Sequence, residues 1–324
     1  MSEARNAGCC ETKWNRDNWP IAAAMNGFSG VLPDGSLVQD QPADHWAATL
    51  QQVVDAGFTE FDPSDSWVRV ADLSPSRLRD FMYVVKTVGL TIPAISTTRK
   101  ASVIDPVHAD DYLAYNHRVI DAAAEIGAKA VSFGLFGEFT EEQKKHLWFW
   151  TAQGVTNPDD PATYQKAVSR IRELGKHAAE LGIEVSLEMY EDTYIGTADG
   201  AVKFVNDVDV PAVGINADIG NLVRLHRPVE HWASMIDKIV PYAKYWHVKN
   251  YIRIEDPAQN LICSYPTSLA LGIINYRVAI QKALAHGFKS AFLCEHYGGD
   301  SLSVCAMNRD YLRTILPRQE GDNP

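Results

Sequence analysis

Gly182-Ile-Glu-Val-Ser-Leu-Glu-Met-Tyr-Glu191 consists of a glycine, an apolar run, and a carboxylate, Glu188, where the run stops. The same sentence recurs further along the chain. Val213-Gly-Ile-Asn-Ala-Asp218 ends in Asp218, Tyr245-Trp-His-Val-Lys249 carries His247, and Ala291-Phe-Leu-Cys-Glu295 ends in Glu295. Four strand-like runs thus carry Glu, Asp, His and Glu at their C-terminal ends. If those ends meet, they form an oxygen-rich cage with one imidazole, a ligand set suited to divalent Mn, Mg, Co or Zn. A coupled network of buried ions is the alternative.

Working outward, the unit of helix, glycine and apolar strand also appears at Gly57, Gly89, Gly127 and Gly287. A glycine just past a helix takes the left-handed conformation that other residues resist. The runs behind these glycines are almost continuously apolar, as in strands buried on both faces. Two further units use Pro211 and Pro241 instead. With Ile21-Ala-Ala-Ala-Met-Asn26 the strands number eight. Each connection is long enough for a helix. Trp46, Leu50, Val53 and Val54 recur at helical spacing, as do Tyr164, Val168, Ile171, Leu174, Ala178 and Leu181. Eight β-then-α units without a glycine-rich phosphate loop predict an α/β chain folded as a single (β/α)8 TIM barrel. In such barrels the active site lies where strands end, and all four candidate ligands are there.

Residues 1–18 are polar and unpatterned and read as a flexible tail. The barrel is expected over 19–318, Ser301 to Leu316 being its closing helix, with 319–324 as a short tail. Two connections are enlarged, at 134–161 and 250–273. The first is dense in aromatics: Phe136, Phe139, Trp148, Phe149 and Trp150. Long loops on a catalytic face commonly act as lids or recognition surfaces. Glu191, Asp192, His226, His296 and Asp300 lie near the same edge and read as supporting or solvated loop residues.

A net charge of −11 and a pI near 5.4 argue against a nucleic-acid partner. The five cysteines have no spaced framework, which fits a reducing compartment. Cys9-Cys10 could bind metal or react, or be two thiols in a loose tail. With no secretory start and no apolar run of about 18 residues, the expectation is a soluble, cytoplasmic protein without membrane contact.

The order Glu188, Asp218, His247, Glu295 on strands five to eight resembles the xylose isomerase-like sugar isomerase and epimerase barrels, over nearly the whole chain after the tail. His247-Val-Lys-Asn-Tyr-Ile-Arg253 places an arginine six residues after the histidine, as ketose 3-epimerases do. The resemblance implies a metal that holds a sugar carbonyl and its neighbouring hydroxyl, most expectedly Mn²⁺, with Mg²⁺, Co²⁺ or Zn²⁺ as alternatives. It also implies Glu188 and Glu295 on opposite faces of the reacting carbon, and Arg253, Asn221 and Lys249 as substrate contacts. Two departures stand out. Asn221 replaces the histidine that ketose 3-epimerases carry three residues after the aspartate, and Tyr194 replaces their second glutamate.

The aromatic insertion and Ala24-Met-Asn-Gly-Phe-Ser-Gly-Val-Leu-Pro-Asp-Gly35 resemble the large subunit of bacterial C-glycoside deglycosidases. That resemblance implies an aromatic C-glycoside in its 3-keto form as substrate and a small β-rich partner subunit. His146, in Lys144-Lys-His-Leu-Trp-Phe-Trp150, would correspond to that family's catalytic histidine; a solvent-facing loop histidine is the alternative. The implied chemistry is acidification of the C2–H beside the keto group, proton removal by Glu188 or Glu295, and elimination of the aglycone from C1. His146 would shuttle the proton the aglycone needs. Metal-dependent ketose 3-epimerisation or aldose/ketose isomerisation, and a non-catalytic barrel subunit, are the other readings.

Overall fold

The computed structural model describes residues 14–318. Its eight-stranded parallel sheet runs β1 (Ile21–Ala24), β2 (Glu60–Asp62), β3 (Ala94–Ser96), β4 (Ala130–Phe133), β5 (Glu184–Glu188), β6 (Val213–Asn216), β7 (Ala243–Val248) and β10 (Phe292–Cys294). Every named pair is parallel, and β10 lies between β7 and β1, so the sheet curls into a barrel. The seam between β2 and β3 is held by one bridge, Glu60 to Thr91, with Phe61 N donating to Thr91 O at 3.1 Å. The barrel is nearly closed, and the expected fold is correct.

Among the described residues ten helices fill the connections between and after the strands: α1 (Ala43–Asp55), α2 (Ser64–Trp67), α3 (Pro75–Val88), α4 (Ala109–Ile126), α5 (Pro161–Glu180), α6 (Ala198–Val208), α7 (Gly220–Val223), α8 (Trp232–Ile239), α9 (Tyr276–Ala285) and α10 (Ser301–Ile315). The starts of α3, α5, α6, α8, α9 and α10 are set by side-chain caps. Asp160 accepts from Thr163 N at 2.8 Å ahead of Pro161, and Asp300 accepts from Ser303 N at 3.1 Å. Several stops are the predicted glycines; Gly127, φ 84°, closes α4. At the Pro211 unit, Asp209 takes the left-handed cap itself, φ 51°. In α5, Val168, Ile171, Leu174 and Ala178 are buried as expected, but Leu181 is exposed, because the helix has ended before it.

Parity positions the site. Along each strand one set of side chains faces the helices and the other the lumen. The lumen is filled by Ala22, Ala24, Ala94, Ala130, Tyr245, Ala291 and Leu293, all buried. On β7 the lumen residues are Tyr245 and His247, whereas Trp246 and Val248 join the outer core. Glu188, Asp218 and Glu295 share that inward parity at their strand ends.

The connection after β7 is not an open loop. β8 (Asn250–Asp256) and β9 (Leu261–Thr267) pair antiparallel as a hairpin separate from the barrel sheet. Residues 1–13 and 319–324, including Cys9-Cys10, lie outside the described residues. Asn15 to Asn18, expected in the tail, join the fold through Arg16 N donating to Pro317 O at 2.7 Å. Among the described residues no helix is long and apolar enough to cross a membrane.

Candidate metal centre

Glu188, Asp218 and His247 are buried, and each offers a ligand atom within 4.8 Å of the others. Glu295 completes the cage from β10's end. Its Oε2 lies 3.7 Å from His247 Nδ1, and Asp218 Oδ2 lies 3.8 Å from the same nitrogen. Lys249, two residues beyond His247, reaches into the cage. Its Nζ stands 2.8 Å from Asp218 Oδ2 and 2.6 Å from Glu295 Oε2. Two of the three buried carboxylates are thereby held together by one ammonium.

A polar layer beneath the cage orients the imidazole. Ser96 donates its hydroxyl to Asp62 Oδ2 at 2.7 Å, so its oxygen is free to accept from His247 Nε2 at 3.1 Å. Asp62, fully buried, also accepts from Ser96 N, Ser64 N and the Tyr245 hydroxyl. Burial lifts its carboxyl to about 6, against the pull of those hydrogen bonds. With the proton on Nε2, the His247 Nδ1 lone pair points at the carboxylates. A metal-binding histidine is ordinarily oriented in this way, through its other ring nitrogen. Asn216 Oδ1 accepts from His247 N at 2.9 Å, fixing the strand beneath the ring. The donor set, tautomer and spacing fit a hard or borderline divalent cation.

The charges are strongly perturbed. Burial, with Asp218 adding to it, lifts Glu188 to about 8. Burial lifts Asp218 to about 7 against the opposing Lys249 ammonium. For Glu295 burial also acts upward, but the Lys249 ammonium outweighs it, and the carboxyl falls below its ordinary range. Burial presses His247 down to about 3, keeping it neutral. Since Glu188 and Asp218 retain protons below about 8 and 7, metal must displace them, and uptake should strengthen as pH rises. Calorimetric titration should show affinity climbing from pH 6 to 8 and levelling above. A flat profile would contradict these protonation states.

Among the predicted substrate contacts, Asn221 and Lys249 are in the cage. Asn221 Nδ2 donates to Glu188 Oε1 at 2.9 Å and to Asp218 Oδ2 at 3.0 Å. Arg253 is elsewhere. Its guanidinium donates to Val223 O at 2.9 Å, to Leu225 O and to Arg227 O at 2.7 Å, tying the hairpin to the segment after β6. His146 caps a short 3-10 turn, Gln143–Lys145, where its Nε2 lies 3.3 Å from Glu142 Oε1. Its side chain is 41% exposed and does not line the cleft.

The cage opens into a cleft of about 640 Å³. One wall is polar, with Asp65, Ser66, Arg69, Thr97 and Thr98. An aromatic wall also lines the cleft, with ring contacts between Phe136 and Tyr190, between Phe139 and Phe149, and between Phe149 and Tyr297. Arg99 backs that wall, its guanidinium 3.5 Å from the Phe139 ring centre and hydrogen-bonded to Gly137 O and the Tyr190 hydroxyl. The insertion's aromatics therefore divide. Trp150 is fully buried, donates to Ser264 Oγ at 3.0 Å and stacks with Trp148, which anchors the loop. Glu191 pairs with Arg224, both buried, and Asp192 holds Arg227 and Gly154 N. His226 meets Trp150 O at 3.0 Å, and Asp300 caps α10. Asp62, Ser96, Asn26 (donating to Glu295 Oε1 at 2.8 Å) and Arg99 are site residues that the sequence reading missed. Asp62 and Ser96 end β2 and β3, the same position that singled out the quartet.

The family model for the xylose isomerase-like TIM barrel matches residues 50–314. A xylose isomerase-like TIM barrel protein from Mycobacterium smegmatis, solved in complex with magnesium, is 49% identical with a TM-score of 0.90, covering 94% of this chain and 98% of its own. D-psicose 3-epimerase from Clostridium cellulolyticum H10, solved with D-tagatose, is 14% identical with a TM-score of 0.65, covering 92% and 100%. The 3-keto-D-glucoside 4-epimerase of E. coli is 15% identical with a TM-score of 0.61, covering 91% and 99%. Among curated proteins no match is found. By the family match and the Mycobacterium smegmatis relative, and with a buried Glu–Asp–His cluster at the strand ends, the chain belongs to the xylose isomerase-like TIM barrel family.

Proposed function

We propose that this protein is a divalent-metal-dependent lyase that cleaves the C–C glycosidic bond of a 3-oxo-C-glycoside and releases an aromatic aglycone. The supporting observation is the cleft's mixed lining, which combines the carboxylates of the cage with polar residues such as Asp65, Ser66, Thr97 and Thr98 and with the rings of Phe136, Phe139, Phe149, Tyr190 and Tyr297. A sugar fits the polar residues and a flat aglycone the rings. The 3-keto-D-glucoside on which the E. coli relative acts is the sugar form required. Open-chain ketose epimerisation is less well served. Asn221 spends its amide on Glu188 and Asp218, and the Tyr194 hydroxyl donates away from the cage to Pro158 O.

A divalent cation held by Glu188, Asp218, His247 and Glu295 would supply Lewis-acid polarisation of the keto oxygen. Glu188 removes the C2 proton; among the described residues it commits one oxygen to Asn221, whereas Glu295 has both engaged, by Asn26 and Lys249. The electrons of the C2–H bond form the enolate, then the C1–C2 double bond as the C1–aryl bond breaks. The aryl carbon takes that bond's electron pair and gains a proton, for which His146 is the assigned source. A small β-rich subunit would be needed to bring His146 to the cleft. The β8–β9 hairpin supports such a partner, since Ile252, Ile254, Leu261 and Tyr265 lie exposed on its outward face.

The test is metal-loaded protein with a 3-keto C-glucoside in D₂O, with and without its small genomic neighbour. Free aglycone together with C2 deuteration supports the lyase; an epimeric sugar with no aglycone favours the epimerase alternative. His146→Ala should lower aglycone release at least ~10²-fold while C2 exchange and metal content persist. Near-normal release would remove His146 from the mechanism.

A further inference from the structure

Far from the barrel mouth, α4 and α5 bring two histidines face to face. His117 Nδ1 lies 2.9 Å from His177 Nδ1, with ring centres 5.0 Å apart. The outer nitrogens are each backed by a carboxylate. His117 Nε2 meets Glu173 Oε1 at 3.0 Å, and His177 Nε2 meets Asp121 Oδ1 at 3.0 Å. The arrangement is reciprocal: each helix supplies one histidine and, one turn away, the carboxylate that holds the other helix's histidine. Both rings are about a quarter exposed, so solvent has access.

The hydrogen bonding defines what the cluster wants. With both Nε2–H groups donating to carboxylates, the Nδ1–Nδ1 contact is attractive only if a single proton lies between the rings. The pair therefore calls for one cation at its centre, and a metal ion can be that cation. We propose that His117 and His177 form a transition-metal site on the barrel's outer face, binding Zn²⁺, Ni²⁺ or Cu²⁺ through the two Nδ1 atoms. Imidazole ligands suit these ions, and carboxylate-backed rings are the usual partners of a bound metal. Two Zn–N bonds of tetrahedral geometry place the nitrogens about 3.3 Å apart, so the rings need to part by a few tenths of an ångström and turn until both Nδ1 lone pairs converge on the ion. Zn²⁺ enters as the bridging proton leaves, and water or a swung carboxylate fills the remaining positions. The site clamps α4 to α5 and is independent of the chemistry at the barrel mouth.

Zinc alone is the probe, in equilibrium dialysis of the full chain with metal counted per protein. His117→Asn or His177→Asn should bind one equivalent fewer than the native protein, and a metal-cage variant, Asp218→Asn, should keep the equivalent that the histidine variants lose. Because the rings are partly exposed the histidine variants should fold, which circular dichroism checks. Glu173→Gln and Asp121→Asn keep the histidines and should weaken the outer site about 10–100-fold. Equal zinc in the native chain and the histidine variants would overturn the assignment.

Discussion

Glu188→Gln should lower C2-hydrogen exchange of a 3-keto sugar by about 10²–10⁴-fold, the loss typical of a positioned general base. Glutamine preserves the side chain's volume, and its amide oxygen can still accept from Asn221, so the fold should persist. What disappears is a carboxylate that burial and Asp218 hold near 8 in the metal-free chain. The variant also loses one anionic ligand, so exchange must be measured at saturating metal. Asp218→Asn is the control: it should weaken metal retention as strongly, yet recover exchange when metal is raised. If Glu188→Gln recovers in the same way, Glu188 is a ligand alone and Glu295 is the base.

Lys249→Met should destabilise the metal-free protein by about 3–5 kcal/mol at pH 8, the cost of leaving buried charge without its partner. Methionine keeps the length of the stem but removes the ammonium that contacts both Asp218 and Glu295. Without it Asp218 rises further above its unfolded value, and Glu295 loses the neighbouring charge that holds it below its own. A carboxyl raised on folding contributes stability below its unfolded value, and that contribution is lost as pH rises through the folded one. The Asp218 part of the penalty should therefore be absent near pH 5 and grow toward pH 8, so the total should be smaller at pH 5 than at pH 8. Added divalent metal should restore most of it, because a ligand that binds only the folded state stabilises by mass action. Urea denaturation with and without Mg²⁺ or Mn²⁺ measures this. Equal stability of the two metal-free proteins at pH 8 would show that the ammonium does not hold the cage together.

Much of this was legible in the chain because two periodicities reinforce each other. Glycine after five of the helices, and proline after two more, marks where strands start, and the alternation within strands marks which residues look inward. Glu188, Asp218, His247 and Glu295 satisfy both, so their convergence follows from barrel geometry. Asp62 and Ser96 satisfy both as well, but a serine and a lone aspartate do not advertise themselves as a relay to a histidine on the far side of the lumen. Lys249 reads as a residue waiting for substrate; only the packed barrel shows its stem turned back between two carboxylates. Arg253, six residues beyond His247, invites a role at the site. The hairpin it sits in carries it instead to three backbone carbonyls. That hairpin is itself written as alternation, Ile252 and Ile254 before the Asp256–Asn260 turn and Leu261, Cys263 and Tyr265 after it. Whether an aromatic in the insertion anchors the loop or faces the cleft is decided by contacts distant in sequence, such as Trp150 with Ser264.

Anomalous diffraction from crystals soaked in Mn²⁺ tests the cage most directly. One peak should appear with Glu188, Asp218, His247 Nδ1 and Glu295 about 2.0–2.3 Å from it. The Lys249 ammonium should have withdrawn from Asp218, since the cation takes over its charge. The contradicting result is a cage with no peak, in which Lys249 still bridges Asp218 and Glu295 at full Mn²⁺ occupancy elsewhere.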